Sequence, residues 1–228
     1  MLGSLAPQDE ISEAEREAGL RRLIYEAGYS SATAALTSGV ILTAFALHLG
    51  ASNLTVGILA SAPFLGQLLQ APAVLLIDRL RARKAIAVVS SVVGRSMLAL
   101  MALAVFLPPS LAIAAVVFSQ FVLCGLGAIG GCAWNSWLRD LAPQERLGTV
   151  FSQRTVYTTS VGPGAGLAAA FLLDRTAQGS GARDWAFAGL YLAGCASGLV
   201  SPFVVTRMPE PRMPPPIAGP SGLAALLR

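Results

Sequence analysis

Arg95 stands in the middle of an apolar run, residues 85–106, that is long enough to cross a bilayer. A guanidinium keeps its proton, so at that depth it must face protein or water rather than lipid. There its planar fork can hold an anion by paired hydrogen bonds. Three partners suit it: an anionic substrate, a carboxylate on a further part of the protein, or backbone carbonyls. Other polar side chains at comparable depth are few. Gln67 and Gln70 lie three apart, Thr33 and Thr37 four apart, and Gln120 precedes Cys124 by one helical turn; Tyr157 and Ser160 follow in a later run. Amides are costly in hydrocarbon unless paired, so these side chains are expected to point inward. They are candidates either for a substrate cavity or for helix-to-helix hydrogen bonds.

Several chemistries lack their residues. All twelve acids fall in tails, loops or the ends of apolar runs, Glu26 being the deepest, so no proton carrier is expected at the midplane. His48 is the only histidine and is expected at the outer edge of the first run. Cys124, Cys132 and Cys195 have neither metal nor redox spacing and read as small packing residues. No catalytic triad, glycine-rich nucleotide loop or metal cluster is legible. The expectation is a protein that is not an enzyme, with no cofactor and no metal.

The elements that must position these residues are spanning helices. Hydrophobic residues make up 54% of the chain and charged ones 12%, against roughly 25% in soluble domains. Six runs of about 20 residues read as spans: 25–49, 55–77, 85–106, 110–137, 150–173 and 185–206. Thirteen of the sixteen basic residues fall on one side of these spans and only Arg175 and Arg183 on the other, with Arg95 in the membrane. The positive-inside rule then places both termini in the cytoplasm. It also accounts for the net charge of +4 without a nucleic-acid partner.

Charges join the second and third runs as Asp78-Arg79-Leu80-Arg81-Ala82-Arg83-Lys84. This loop resembles the signature of the major facilitator superfamily, Gly-x-x-x-Asp-Arg-x-Gly-x-Arg-Lys. Asp78, Arg79, Arg83 and Lys84 match; Val74 and Arg81 stand in place of the two glycines. A second loop, with Arg139, Asp140, Pro143, Arg146 and Gly148, resembles the family's acidic–Pro–Arg–Gly turn. The resemblance spans residues 25–207. It implies an all-α membrane protein of six transmembrane helices in two inverted three-helix repeats, the N-terminal domain of a twelve-helix transporter. A short echo fits inversion: Leu75-Leu76-Ile77-Asp78-Arg79 ends the second run and Leu172-Leu173-Asp174-Arg175 the fifth.

The resemblance also implies a function. A small-molecule substrate would cross the lipid bilayer by alternating access, and Asp78, Arg79, Arg83 and Lys84, with Arg139, Asp140 and Arg146, would latch the cytoplasmic gate. Residues 1–24 would be a cytoplasmic leader, 25–207 the transmembrane domain, and 208–228 a proline-rich linker. The partner would be a C-terminal six-helix half or a second copy of the chain. Wording around the first run is similar to bacterial members, which implies the inner (plasma) membrane. The alternative is a non-transport membrane protein of the same fold, an assembly factor or sensor.

Overall fold

Ser12 starts the first helix. Its hydroxyl accepts the Glu15 backbone N–H at 3.3 Å, and the Glu15 carboxylate accepts the Ser12 N–H at 3.0 Å. This reciprocal pair satisfies donors that a helix start leaves free, as Ser-x-x-Glu predicts. Helix α1 then runs unbroken from Glu13 to Thr37. The boundary expected at residue 24 is therefore not a break. Leu20 and Leu23 carry the helix into the bundle by packing beside Trp137, Leu141 and Val205.

The computed structural model describes residues 7–8, 11–141 and 144–213, and of Gln144 and Glu145 only the backbone. Pro143 and the linker beyond Met213 lie outside the described residues. Eight α-helices are found among them, and no β-strand. α1 is followed by α2 (Val40–His48), α3 (Asn53–Gln67), α4 (Gln70–Leu80), α5 (Arg83–Ala104), α6 (Pro109–Leu141), α7 (Gln144–Asp174) and α8 (Gly181–Thr206).

Two of the expected spans are broken, each for a local reason. Between α1 and α2 the chain turns at Gly39, with φ of 57°, a conformation that a side chain would strain. Between α3 and α4 the axis bends by 40°. Pro72 has no N–H to give the Leu68 carbonyl, so the ladder lapses at Leu68 and Leu69. α4 ends at Arg81, which is left-handed at φ 50° and ψ 29°. That is a position that favours glycine, and it is where the resembling loop has one.

Five stretches are long and apolar enough to cross a membrane: 13–48, 83–104, 109–141, 146–174 and 181–206. The bent pair α3–α4 makes a sixth if it counts as one span. The protein is thus an integral membrane protein built of apolar helices.

In lipid, helices gain little from excluding water, so close packing must hold the bundle together. α5 lies against α6 and α8, α1 against α7 and α8, and α3 against α6. Small residues set these distances. A Cβ on Gly194 of α8 would come within 2.3 Å of Thr37 Cγ2, and one on Gly66 of α3 within 2.9 Å of the Cys124 carbonyl oxygen. Gly127 and Gly131, also at packing spacing, have open space where a Cβ would project.

The apolar core forms separate layers along the helices. One holds Phe45, Leu98, Met101, Phe187, Tyr191 and Cys195; another holds Leu23, Val88, Trp137, Leu141, Val205 and Met208. Between these two, the sequence of α1, α5 and α8 turns polar.

Candidate functional site: a charged cavity between two apolar layers

The polar stretch lines a half-open cavity of about 210 Å³ among α1, α5, α6, α7 and α8. α1 contributes Glu26 and Ser30; α5 contributes Ser90, Ser91 and Arg95; α6 contributes Gly127, Gly131 and Trp134; α7 contributes Arg154; α8 contributes Ser201. Gly127 and Gly131 thus open space rather than close an interface.

Glu26 is buried and doubly held. Arg154 Nη2 donates to its Oε2 at 3.0 Å, and Ser201 Oγ donates to its Oε1 at 2.8 Å. The Arg154 guanidinium also lies 5.7 Å from the Trp134 ring centroid, within cation–π range. Arg95 is held differently. Its Nη1 donates to the Gly198 carbonyl at 2.6 Å and its Nη2 to Ser30 Oγ at 3.0 Å. No carboxylate lies within ion-pair distance of Arg95 among the described residues.

Sequence reading did not single out Arg154 for the cavity, and it set Glu26 aside. A first span drawn from residue 25 puts it at a membrane edge. In the longer α1 it falls near the midpoint, beside the cavity. The Ser12 capping box reads as the start of a short surface helix; the helix instead runs on to Thr37, so Glu26 lies in its interior.

The other substrate-cavity candidates are scattered. Thr33 donates to the Tyr29 carbonyl of α1 and the Gly194 carbonyl of α8, while Thr37 donates within α1 to the Thr33 carbonyl and packs its methyl beside Gly194 of α8. Gln120 is buried on α6, with its Nε2 3.4 Å from Cys124 Sγ and its Oε1 without a partner. Gln67 and Gln70 bond each other on an exposed face across the α3–α4 bend. Tyr157 is exposed on α7, edge-on to Tyr25 at 6.2 Å. His48 pairs with Asp184 at 2.6 Å, at the end of the bundle opposite the basic loops.

The expected latch residues divide. Arg83 is fully buried and donates to Asp140 Oδ2 at 2.5 Å and to the Pro211 carbonyl at 2.9 Å. Lys84 donates to the Met208 carbonyl at 2.9 Å, and Trp137 Nε1 to the Pro209 carbonyl at 3.1 Å. The chain after α8 is therefore strapped across the basic end of the bundle. Glu210 in this strap is buried, 3.7 Å from Arg83 Nε. Burial holds its carboxyl above the usual glutamate range, against the opposing backbone N–H groups and charges of Lys84 and Arg83. Asp78, Arg79 and Arg139 are exposed, and none of them joins an ion pair among the described residues. Arg146 pairs with Glu17 at 2.9 Å on the surface.

No group of three or more His, Cys, Asp or Glu side chains is placed to hold a metal among the described residues. No family model matches the chain, and no curated protein or solved structure matches it either.

Proposed function

We propose that this chain is one six-helix half of a secondary transporter of the major facilitator type, moving a small solute by alternating access. The observation that carries the reading is the cavity. Buried charges within an apolar bundle are expensive and concentrate where a membrane protein handles a polar substrate. Two further features support it. The principal helix neighbours map onto themselves when the first three spans are exchanged for the last three, as two three-helix repeats require. The loop from Asp78 to Lys84 also has the residue pattern described above.

The partner in this reading is a second six-helix body, whether a C-terminal half or another copy. α7 meets the bundle along a narrow stripe that includes Val150, Arg154, Ala169 and Leu173, and leaves Gln153 and Tyr157 open. Gln67 and Gln70 are open on α3 and α4. Amides facing lipid are unfavourable, so a covering body fits these faces better than acyl chains do. The basic end of the bundle is the cytoplasmic one in this reading, in a bacterial inner membrane.

Alternating access is tested by labelling inside the cavity. Gly131→Cys, in a chain with Cys124, Cys132 and Cys195 replaced by alanine, has room for a side chain. Expressed in membranes, it should react with an impermeant maleimide in both right-side-out and inside-out vesicles. Reaction from one side only would favour a non-transport protein of the same shape.

A further inference from the structure

We propose that the cavity is a binding site for a small organic monoanion, one carboxylate or comparable acid group held by Arg95. This deepens the transport reading and names the substrate class for it. Three charged residues line the cavity: Glu26, Arg95 and Arg154. Glu26 and Arg154 neutralise each other at 3.0 Å. One positive charge remains, and it belongs to Arg95. Its hydrogen bonds at this site run to a carbonyl and a hydroxyl, neither of which carries charge.

A guanidinium between apolar layers that shares a single nearby carboxylate with a second arginine gains from an added anion. A carboxylate accepting from the guanidinium edge forms the short, charge-assisted bonds that suit this geometry. The surrounding groups fit the same ligand. Ser91 has a hydroxyl to donate, whereas those of Ser90 and Ser201 already donate to the Ile86 carbonyl and to Glu26; Gly127 and Gly131 leave open space where a Cβ would project. The cavity volume corresponds to about seven waters. That is room for one small acid group, in a cavity half open to its surroundings. The Glu26 carboxylate sets the charge limit, because it opposes a second negative group on the ligand.

The sign of the effect separates this site from a structural arginine. Glu26→Gln removes the opposing charge and frees Arg154, so it should tighten an anion. Arg95→Gln removes the remaining positive charge, so it should weaken one. A purely structural role for either residue would move both affinities the same way or neither.

Three probes of matched size are titrated against the purified full chain in detergent at fixed ionic strength, with binding read by calorimetry: benzoate, benzamide and benzylamine. Benzoate should bind at least about tenfold tighter than the other two. Arg95→Gln should abolish that preference, Arg95→Lys should restore part of it, and Glu26→Gln should tighten benzoate several-fold. Benzoate binding no tighter than benzamide overturns the proposal, as does benzylamine binding tightest or benzoate affinity unchanged in Arg95→Gln. If Arg95→Gln does not fold, the Glu26→Gln titration decides alone: weaker or unchanged benzoate binding there also overturns it. The vesicle-labelling outcome is independent. Two-sided labelling with no anion preference would keep the transporter and discard its anionic substrate, whereas anion preference with one-sided labelling would keep the site and discard transport.

Discussion

Two charge clusters lie in this bundle, and they satisfy their arginines in opposite ways. At the basic end, buried Arg83 is filled by Asp140 and the strap carbonyl of Pro211, and Lys84 beside it by that of Met208. Of the Arg83 nitrogens only Nε lacks a hydrogen-bond acceptor among the described residues, and that atom faces Glu210 Oε1 at 3.7 Å. In the cavity, Arg154 has one acid and Arg95 has none. The difference teaches that burial of a charge does not mark a site by itself. A buried arginine whose partners come from its own chain is an anchor, and one left with neutral partners in open space is a receptor.

The largest effect is expected from emptying the anchor. Arg83→Ala removes the donor to half-exposed Asp140 and the buried bonds to the Ser136 and Pro211 carbonyls, a loss of about 2–4 kcal/mol. The strap should come away with it. Tryptic cleavage at Arg207 and Arg212 would rise sharply in the variant, with lower thermal stability in detergent. Unchanged cleavage and melting would mean that Trp137 and Lys84 hold the strap alone, and the contrast between the clusters would weaken.

A smaller effect is expected from the same change in the cavity. Arg154→Ala orphans a buried acid, Glu26, but next to space large enough for water. Ser201 stays bonded to the carboxylate, and water can replace the guanidinium. The expected cost is about 1–3 kcal/mol. Equal destabilisation by Arg154→Ala and Arg83→Ala would show that the cavity is as dry as the anchor.

Much of this architecture was legible in sequence, though unevenly. Helix existence followed from apolar length, and observed α5, α6 and α8 fall within a few residues of the runs read for them. The helix start at Ser12 followed from the Ser-x-x-Glu spacing. Breaks were harder. Hydropathy alone does not register that Pro72 withholds one N–H, so α3 and α4 read as a single span. The site suffered from the same limit. Arg95 is conspicuous because it interrupts an apolar run, while Glu26 hides among the charges of residues 13–22 that continue the same helix. Partner choice was not legible at all. Asp140 and the strap carbonyls reach Arg83 through tertiary packing, while Asp78, much closer to Arg83 in sequence, stays exposed.

The smallest expected effect tests how the strap carries its own charge. Glu210 is buried, and its carboxyl sits above the usual glutamate range in the docked state. The docked strap therefore binds a proton more tightly than the released one. By linkage, Glu210's contribution to docking is fully present below the ordinary glutamate pKa of about 4.3 and is lost as pH rises through the docked-state value. A spin label at Arg212→Cys should become more immobile as pH falls through that window. The change should be modest, because Arg83, Lys84 and Trp137 bind backbone carbonyls that do not titrate. Glu210→Gln is neutral at every pH and should flatten the profile. A label that loosens on acidification would reverse the sign. It would mean that Arg83 and Lys84 dock the ionised carboxylate, and that the anchor, like the cavity, binds by charge as well as by backbone geometry.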